Sequence, residues 1–385
     1  MSLVELVQGT SGAKTILPYL PDLTLWHKWH QSRGTLPEAW RSYSLAQVAE
    51  ALGVSAWIVE HPWRVEHVGI TVASEKVQGE RIIRYETSAG TLTARWSLGP
   101  DGDWWQTEYP VKTLEDLAAA REVVAARTYV VEPGGSADSE RASGGVGESA
   151  NGESANDESR LTFHVSRTTQ SAILALELPM RPYSDLLHTM LGWGEGLMLL
   201  MGEGRPMLME MLGLLEEKLA GLTDQIAGLA GDVLLAPDNL DGQYISPRVF
   251  REQMAESYRR TADATHAQGK LLVVHAGGPV RRLLPLLAQA GVDVVEGVAP
   301  PPQSDATLAE ARAAAGPDLI LWGGIPQDLL LPERDESEFE AVVKEAAIQA
   351  AQDGRTIVGI ADRVPVNADI ARLQAMSRLI AEASG

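Results

Sequence analysis

The stretch GKLLVVHAGGPVRRLLPLLAQAGVDVVEGV, residues 269–298, decides the fold. It holds two short runs rich in Val and Leu, LLVVHA (271–276) and VDVVEGV (292–298). Between them lies a segment of helical spacing from Pro279 to Ala290. Strand, helix and strand in this order form a βαβ unit, whose crossover helix lets the two strands run parallel. Both runs are apolar almost throughout, as parallel strands covered on two faces must be, yet each carries one polar group near its end. Those groups are His275 and Glu296.

The same rhythm extends in both directions. Upstream come VLLAPD (233–238) and a helix from Pro247 to His266. Downstream follow a helix near Ala306 to Ala315, LILWGGI (319–325), a helix from Glu336 to Gln352, TIVGIA (356–361) and a helix from Ala368 to Ala383. With SAWIVE (55–60) and the run from Leu161 to Ser166, seven strands are in hand, and Ile173 to Leu176 is a weaker eighth. The expected fold is α/β, a (β/α)8 TIM barrel. An open doubly wound sheet is the alternative, but no G-x-G-x-x-G follows the first strand.

Three additions decorate this barrel. An N-terminal extension includes a short helix from Ser44 to Leu52, and RIIRYET and TLTARWSL (81–98) form a β-hairpin insertion around Ser88-Ala89-Gly90. Residues 133–160 are rich in Gly, Ser, Ala and acid and are expected to be a flexible acidic insertion, because they cannot bury enough apolar surface to offset their ordering entropy. Helical material is expected from Ser184 to about Gly228. The whole chain, 1–385, is read as a single domain.

Composition narrows the function classes. The 52 acidic side chains exceed the 32 basic ones, giving a net charge of −20, which is unsuited to a nucleic-acid surface. With no cysteine there is no disulfide framework, no iron–sulfur cluster and no thiol nucleophile. The first residues lack the pattern of a signal peptide, and no apolar run approaches the ~20 residues that span a bilayer. The expectation is a cytoplasmic protein with no membrane or nucleic-acid partner, a monomer or homodimer.

In a barrel the site lies at the C-terminal ends of the strands. There the sequence offers Asp238-Asn239, His275, Glu296 and Asp362-Arg363. His275, Glu296 and Asp362 lie 21 and then 66 positions apart, so only a barrel makes them neighbours. Two readings follow: the three hold a divalent metal, or His275 bonds a carboxylate and shapes the pocket without one. Asp238 and Asn239 are candidates to orient a donor or metal. His61, Trp63 and Arg64, from HPWRVEH (61–67), and Trp322 are candidate pocket residues. The cluster from Trp26 to His30 is better explained as packing, and the Met-rich stretch from Met198 to Met211 as core or a flexible lid.

At these residues the chain resembles the uroporphyrinogen decarboxylase superfamily, which includes decarboxylases and corrinoid-dependent methyltransferases. The resemblance rests on DNLDGQYISPRVFREQM (238–254), on 269–298, on LWGGIPQDLLL (321–331) and on GRTIVGIADRVPVNADIARLQAM (354–376), with TSAGTL (87–92) and EYPVKTLEDL (108–117) upstream. The decarboxylases carry an N-terminal arginine-rich segment, and LWHKWHQSRGTLPEAW lacks its paired arginines. The likeness is therefore closer to the methyltransferase-like branch. That branch holds zinc through a His-x-Cys pair and a later Cys; His275 matches the histidine, while Gly277 stands at the cysteine's place. Glu296 falls near a glutamate ligand and Asp362 near the last ligand. The resemblance thus implies a methyltransferase with Zn2+ on His275, Glu296 and Asp362. It would move a methyl group from a small methoxylated, aromatic donor to a corrinoid carried by a partner protein. The alternatives are a metal-free lyase acting on a small carboxylic acid with His275 as proton donor, and a binding barrel without catalysis.

Overall fold

A computed structural model describes residues 19–132 and 172–384. They divide into two compact units, the first built from residues 19–59, 172–177 and 230–384, the second from 60–132 and 178–229. The acidic insertion 133–160 and the expected strand at 161–166 lie outside the described residues, as does the chain before residue 19.

The first unit is built on one seven-stranded sheet. Its strands, in spatial as in chain order, are β1 (Ala56–Glu60), β2 (Ala172–Glu177), β3 (Val233–Leu240), β4 (Leu271–Ala276), β5 (Val294–Val298), β6 (Ile320–Pro326) and β7 (Thr356–Ala361). All pairings from β2 through β7 are parallel. Helices Ala255–Ala267, Leu284–Gln289, Leu308–Ala315 and Glu336–Asp353 alternate with the later strands, and Ile370–Ser384 follows the last.

The sheet is strongly curled. Side chains from all seven strands share one core: Trp57, Ile173, Ala175, Val233, Leu271, Val273, Val294, Ile320, Trp322 and Ile357. In a flat sheet β1 and β6, five strand spacings apart, would be separated by roughly 24 Å. Instead the Trp57 and Trp322 rings meet edge to face with centroids 4.7 Å apart. The architecture is TIM-barrel-like.

The wall beside β7 comes from an unexpected place. The Leu20 N–H donates to the Val358 carbonyl at 3.0 Å, and the Trp322 indole N–H donates to the Leu20 carbonyl at 2.8 Å. Leu20 is fully buried in the same core. Gly359 leaves room for this approach, since a Cβ there would stand 2.7 Å from the Leu20 carbonyl oxygen and 2.4 Å from the Trp322 indole nitrogen. The weak candidate at 173–176 proves to be a full strand, and the segment around Leu20 flanks β7 without forming a strand of its own.

The helix expected from Pro279 begins only at Leu284. The Pro279 carbonyl accepts from the Gly242 N–H at 2.6 Å, and the Gly277 N–H donates to the Leu240 carbonyl at 3.0 Å. The turn after β4 is thereby sewn to the loop after β3.

The second unit is mostly antiparallel. Thr71–Val77, Glu80–Thr87, Gly90–Leu98 and Trp104–Glu108 form a four-stranded meander, so the expected hairpin is the centre of a larger sheet. Its first turn, Gln78-Gly79, has positive φ at both residues, as two-residue hairpins of this hand require. Trp63–His67 pairs separately with Arg127–Val131. The expected helical region near 184–228 is broken around Gly192–Gly194 and Gly202, leaving Glu195–Met201 and Arg205–Ala227 as separate helices.

Candidate active site

Side-chain parity along each strand positions the site. Leu271 and Val273 face the barrel core, so His275, two residues on, faces the same interior. Val294 does the same for Glu296. β4 and β5 align with His275 opposite Glu296, and their side chains meet, His275 Nδ1 to Glu296 Oε2, at 2.5 Å. Glu296 is 7 % exposed, and its Oε1 is the one fully buried carboxylate oxygen without a hydrogen-bond partner among the described residues. The His275 side chain is 22 % exposed, with no partner for Nε2 among those residues.

This pair is electrostatically unusual. Burial pulls the His275 pKa down, but the charge and hydrogen bond of Glu296, helped by Asp362, carry it up to about 9. Burial pushes Glu296 up, as do Asp362 and Asp22, against the lowering pull of His275, and it reaches about 7. Between these values the pair holds one proton in total beyond the fully deprotonated state, so imidazolium faces carboxylate.

Asp362 follows β7 directly and has φ +75°, and Asn239 on β3 has φ +48°. Besides these two, the only other non-glycine residue with positive φ among the described residues is Gln78 in the hairpin turn. Left-handed backbone costs on the order of 1 kcal/mol or more for such residues and concentrates at functional sites. Asp22 arrives with the Leu20 segment: its carbonyl accepts from the Val364 N–H at 2.9 Å, and its carboxylate accepts from the Thr24 N–H at 2.8 Å. Its pKa is raised by burial, and Asp362 adds to that rise while Arg363 opposes it.

The turn after His275 is shaped around two neighbouring side chains. A Cβ at Gly277 would lie 1.5 Å from Asn239 Oδ1, and one at Gly278 would lie 2.5 Å from Asp241 Oδ2. Asn239 therefore occupies the space that any side chain at position 277 would need.

Other candidates sit elsewhere. Asp238 is fully buried and accepts a hydrogen bond from the Tyr258 hydroxyl on helix Ala255–Ala267. Counting by twos from Val233, which lines the barrel core, turns Asp238 toward that helix. Trp322 is no pocket wall, being 1 % exposed with its N–H committed to Leu20. His61, Trp63 and Arg64 belong to the second unit. There the His61 and Trp63 rings stack at 4.2 Å, and Arg64 bridges Glu66 and Glu132. In the Trp26 cluster His27 bonds the Tyr43 carbonyl and the Arg33 guanidinium lies over Trp29, as packing residues do.

Two residues escaped the sequence reading. Glu177 is buried, and its parity with Ile173 and Ala175 gives it an interior position that the sequence could have revealed. Asp22 had no local signal, because only the insertion of Leu20 brings it there.

The metal reading can be weighed against this geometry. His275, Glu296 and Asp362 influence one another, but among the described residues no group of three or more His, Cys, Asp or Glu is disposed to hold a metal ion. The donor set does not fit a three-ligand zinc site.

Comparison with known proteins agrees with the barrel. Residues 195–383 match the family model described as uroporphyrinogen decarboxylase (URO-D). Over these residues the chain is similar to the URO-D family. The URO-D-like chain is also similar in structure to a methyltransferase from Methanosarcina mazei, with a TM-score of 0.56 at 12 % identity, covering 100 % of this chain and 98 % of that one. At that identity the likeness concerns the fold. A D-psicose 3-epimerase from Clostridium cellulolyticum H10 matches at TM-score 0.31 and 13 % identity, over 56 % of this chain and 78 % of that one. No curated protein matches the sequence. No helix among the described residues is long and apolar enough to cross a membrane.

Proposed function

We propose that this chain is a methyltransferase that removes the methyl group from an oxygen of a small methoxylated, aromatic donor and passes it to a corrinoid held by a partner protein. The observation that carries the reading is the His275–Glu296 pair at the C-terminal ends of β4 and β5. The match of residues 195–383 to the URO-D family and the whole-length likeness in fold to a methyltransferase support it.

When the methyl–oxygen bond breaks, its electron pair stays on the oxygen, and an alkoxide or phenolate leaves poorly unless it is protonated. An imidazolium with a pKa of about 9 is charged at neutral pH. Its Nδ1–H donates to Glu296, which fixes the ring, and its Nε2–H is left to give to the departing oxygen. After transfer the neutral ring keeps Nδ1–H against Glu296. A reduced corrinoid, when bound, would supply the electron pair that receives the methyl group. No step requires zinc.

The test is methyl transfer from methoxylated aromatics to a reduced corrinoid, followed by absorbance. General acids contribute about 10²–10⁴ in rate, so His275→Ala should lose on that order. Undiminished transfer by His275→Ala would remove the pair from the reaction.

A second reading is favoured by the same proton donor working without a metal: a lyase that decarboxylates a small acid, with His275 protonating the carbon left behind. Release of carbon dioxide from a carboxylic acid, with no methyl transfer from any methoxylated donor, would select it.

A further inference from the structure

The charges around Glu296 say what kind of donor the site accepts. Three carboxylates gather from separate walls: Glu296 from β5, Asp362 after β7, and Asp22 from the segment bound to Val364. Against them stand His275 and Arg363, so with His275 charged the group retains one negative charge. The chain as a whole carries −20, and no long-range field draws an anion toward it.

The independent observation is Glu296 Oε1. Its residue is 93 % buried, as 7 % exposure implies, and the oxygen has no donor among the described residues. A buried acceptor left unpaired costs about 1–3 kcal/mol, more when charged, and a ligand N–H recovers that cost. His275 already satisfies Oε2.

We propose that the site selects a donor bearing a protonated amine, whose N–H is accepted by Glu296 Oε1 while Asp22 and Asp362 supply the surrounding negative field. The proposal rests on the site assigned above but not on methyl transfer taking place. A donor with a carboxylate in the same position would face three like charges and leave Oε1 unpaired.

Three probes of one shape separate the possibilities: 4-methoxybenzylamine, 4-methoxybenzyl alcohol and 4-methoxybenzoate. Their binding to the whole protein is measured by calorimetry at pH 8 with no methyl acceptor present, so failure of the transferase reading leaves this result interpretable. A charge-assisted hydrogen bond corresponds to about ten- to a hundredfold in affinity. The amine should bind at least about tenfold more tightly than the alcohol, with the benzoate weakest, and Glu296→Gln should erase that order. Asp22→Asn, which leaves the His275–Glu296 contact intact, should narrow the amine-to-benzoate ratio and serves if Glu296→Gln fails to fold. The proposal is overturned if the benzoate binds as tightly as the amine, if the amine does not bind, or if Asp22→Asn leaves the ratio unchanged.

Discussion

His275 owes its elevated pKa to one carboxylate, since burial alone acts in the opposite direction. Glu296→Gln should therefore drop it from about 9 toward or below its ordinary 6.5. An NMR titration of the imidazole checks this, and a titration that stays near 9 would mean that Asp362 is the controlling partner. A second residue-scale expectation concerns Gly277. Adding a methyl there collides with Asn239, so Gly277→Ala should cost about 1–3 kcal/mol in urea unfolding. Asn239→Gly, which clears that space and also relaxes the left-handed backbone, should restore much of the loss. Additive effects of the two substitutions would show that the side chains do not meet.

Among the elements, what could be read in advance was what is encoded locally. TIVGIA (356–361) is the observed strand to the residue, and the helix after Ser44 is closed by a capping box in which Ser44 and Gln47 bond each other's backbone N–H. The placement of His275 and Glu296 at the strand ends was legible because parity from apolar neighbours fixes their direction. For Asp238 the same alternation points toward Tyr258 on the neighbouring helix. The pairing of Glu296 with His275 depends on register between two strands, and no single strand states its register. The Leu20 segment was invisible for a related reason: it has no strand pattern and owes its place to partners more than 300 residues away. Its share in stability can be measured. Leu20→Ala removes a fully buried side chain from the barrel core and should cost about 2–5 kcal/mol. A loss within experimental error would mean that the segment merely rests on β7.

For the molecule as a whole, the raised pKa values of Glu296 and His275 become a stability profile. Both groups hold protons more tightly when folded, so the native state binds more protons than the unfolded chain and stability falls as pH rises. The Glu296 part is lost between about 4.5 and about 7, and the His275 part between 6.5 and about 9. Urea midpoints from pH 5 to 9.5 should decline by an amount worth a few kcal/mol, and Glu296→Gln should flatten most of that decline. A midpoint that rises with pH would reverse the assignment.

Synthesis on the ribosome runs in one direction, and the anchoring of Leu20 to Val358 and Trp322 has a consequence there. Leu20 emerges more than 300 residues ahead of Trp322 and Val358, and its docking surface is completed only when β7 has been made. Until then Leu20 and its neighbours must wait uncovered beside a growing apolar sheet. Native docking is consequently postponed until Val358 has been made, a delay in which holdase chaperones have a surface to grip.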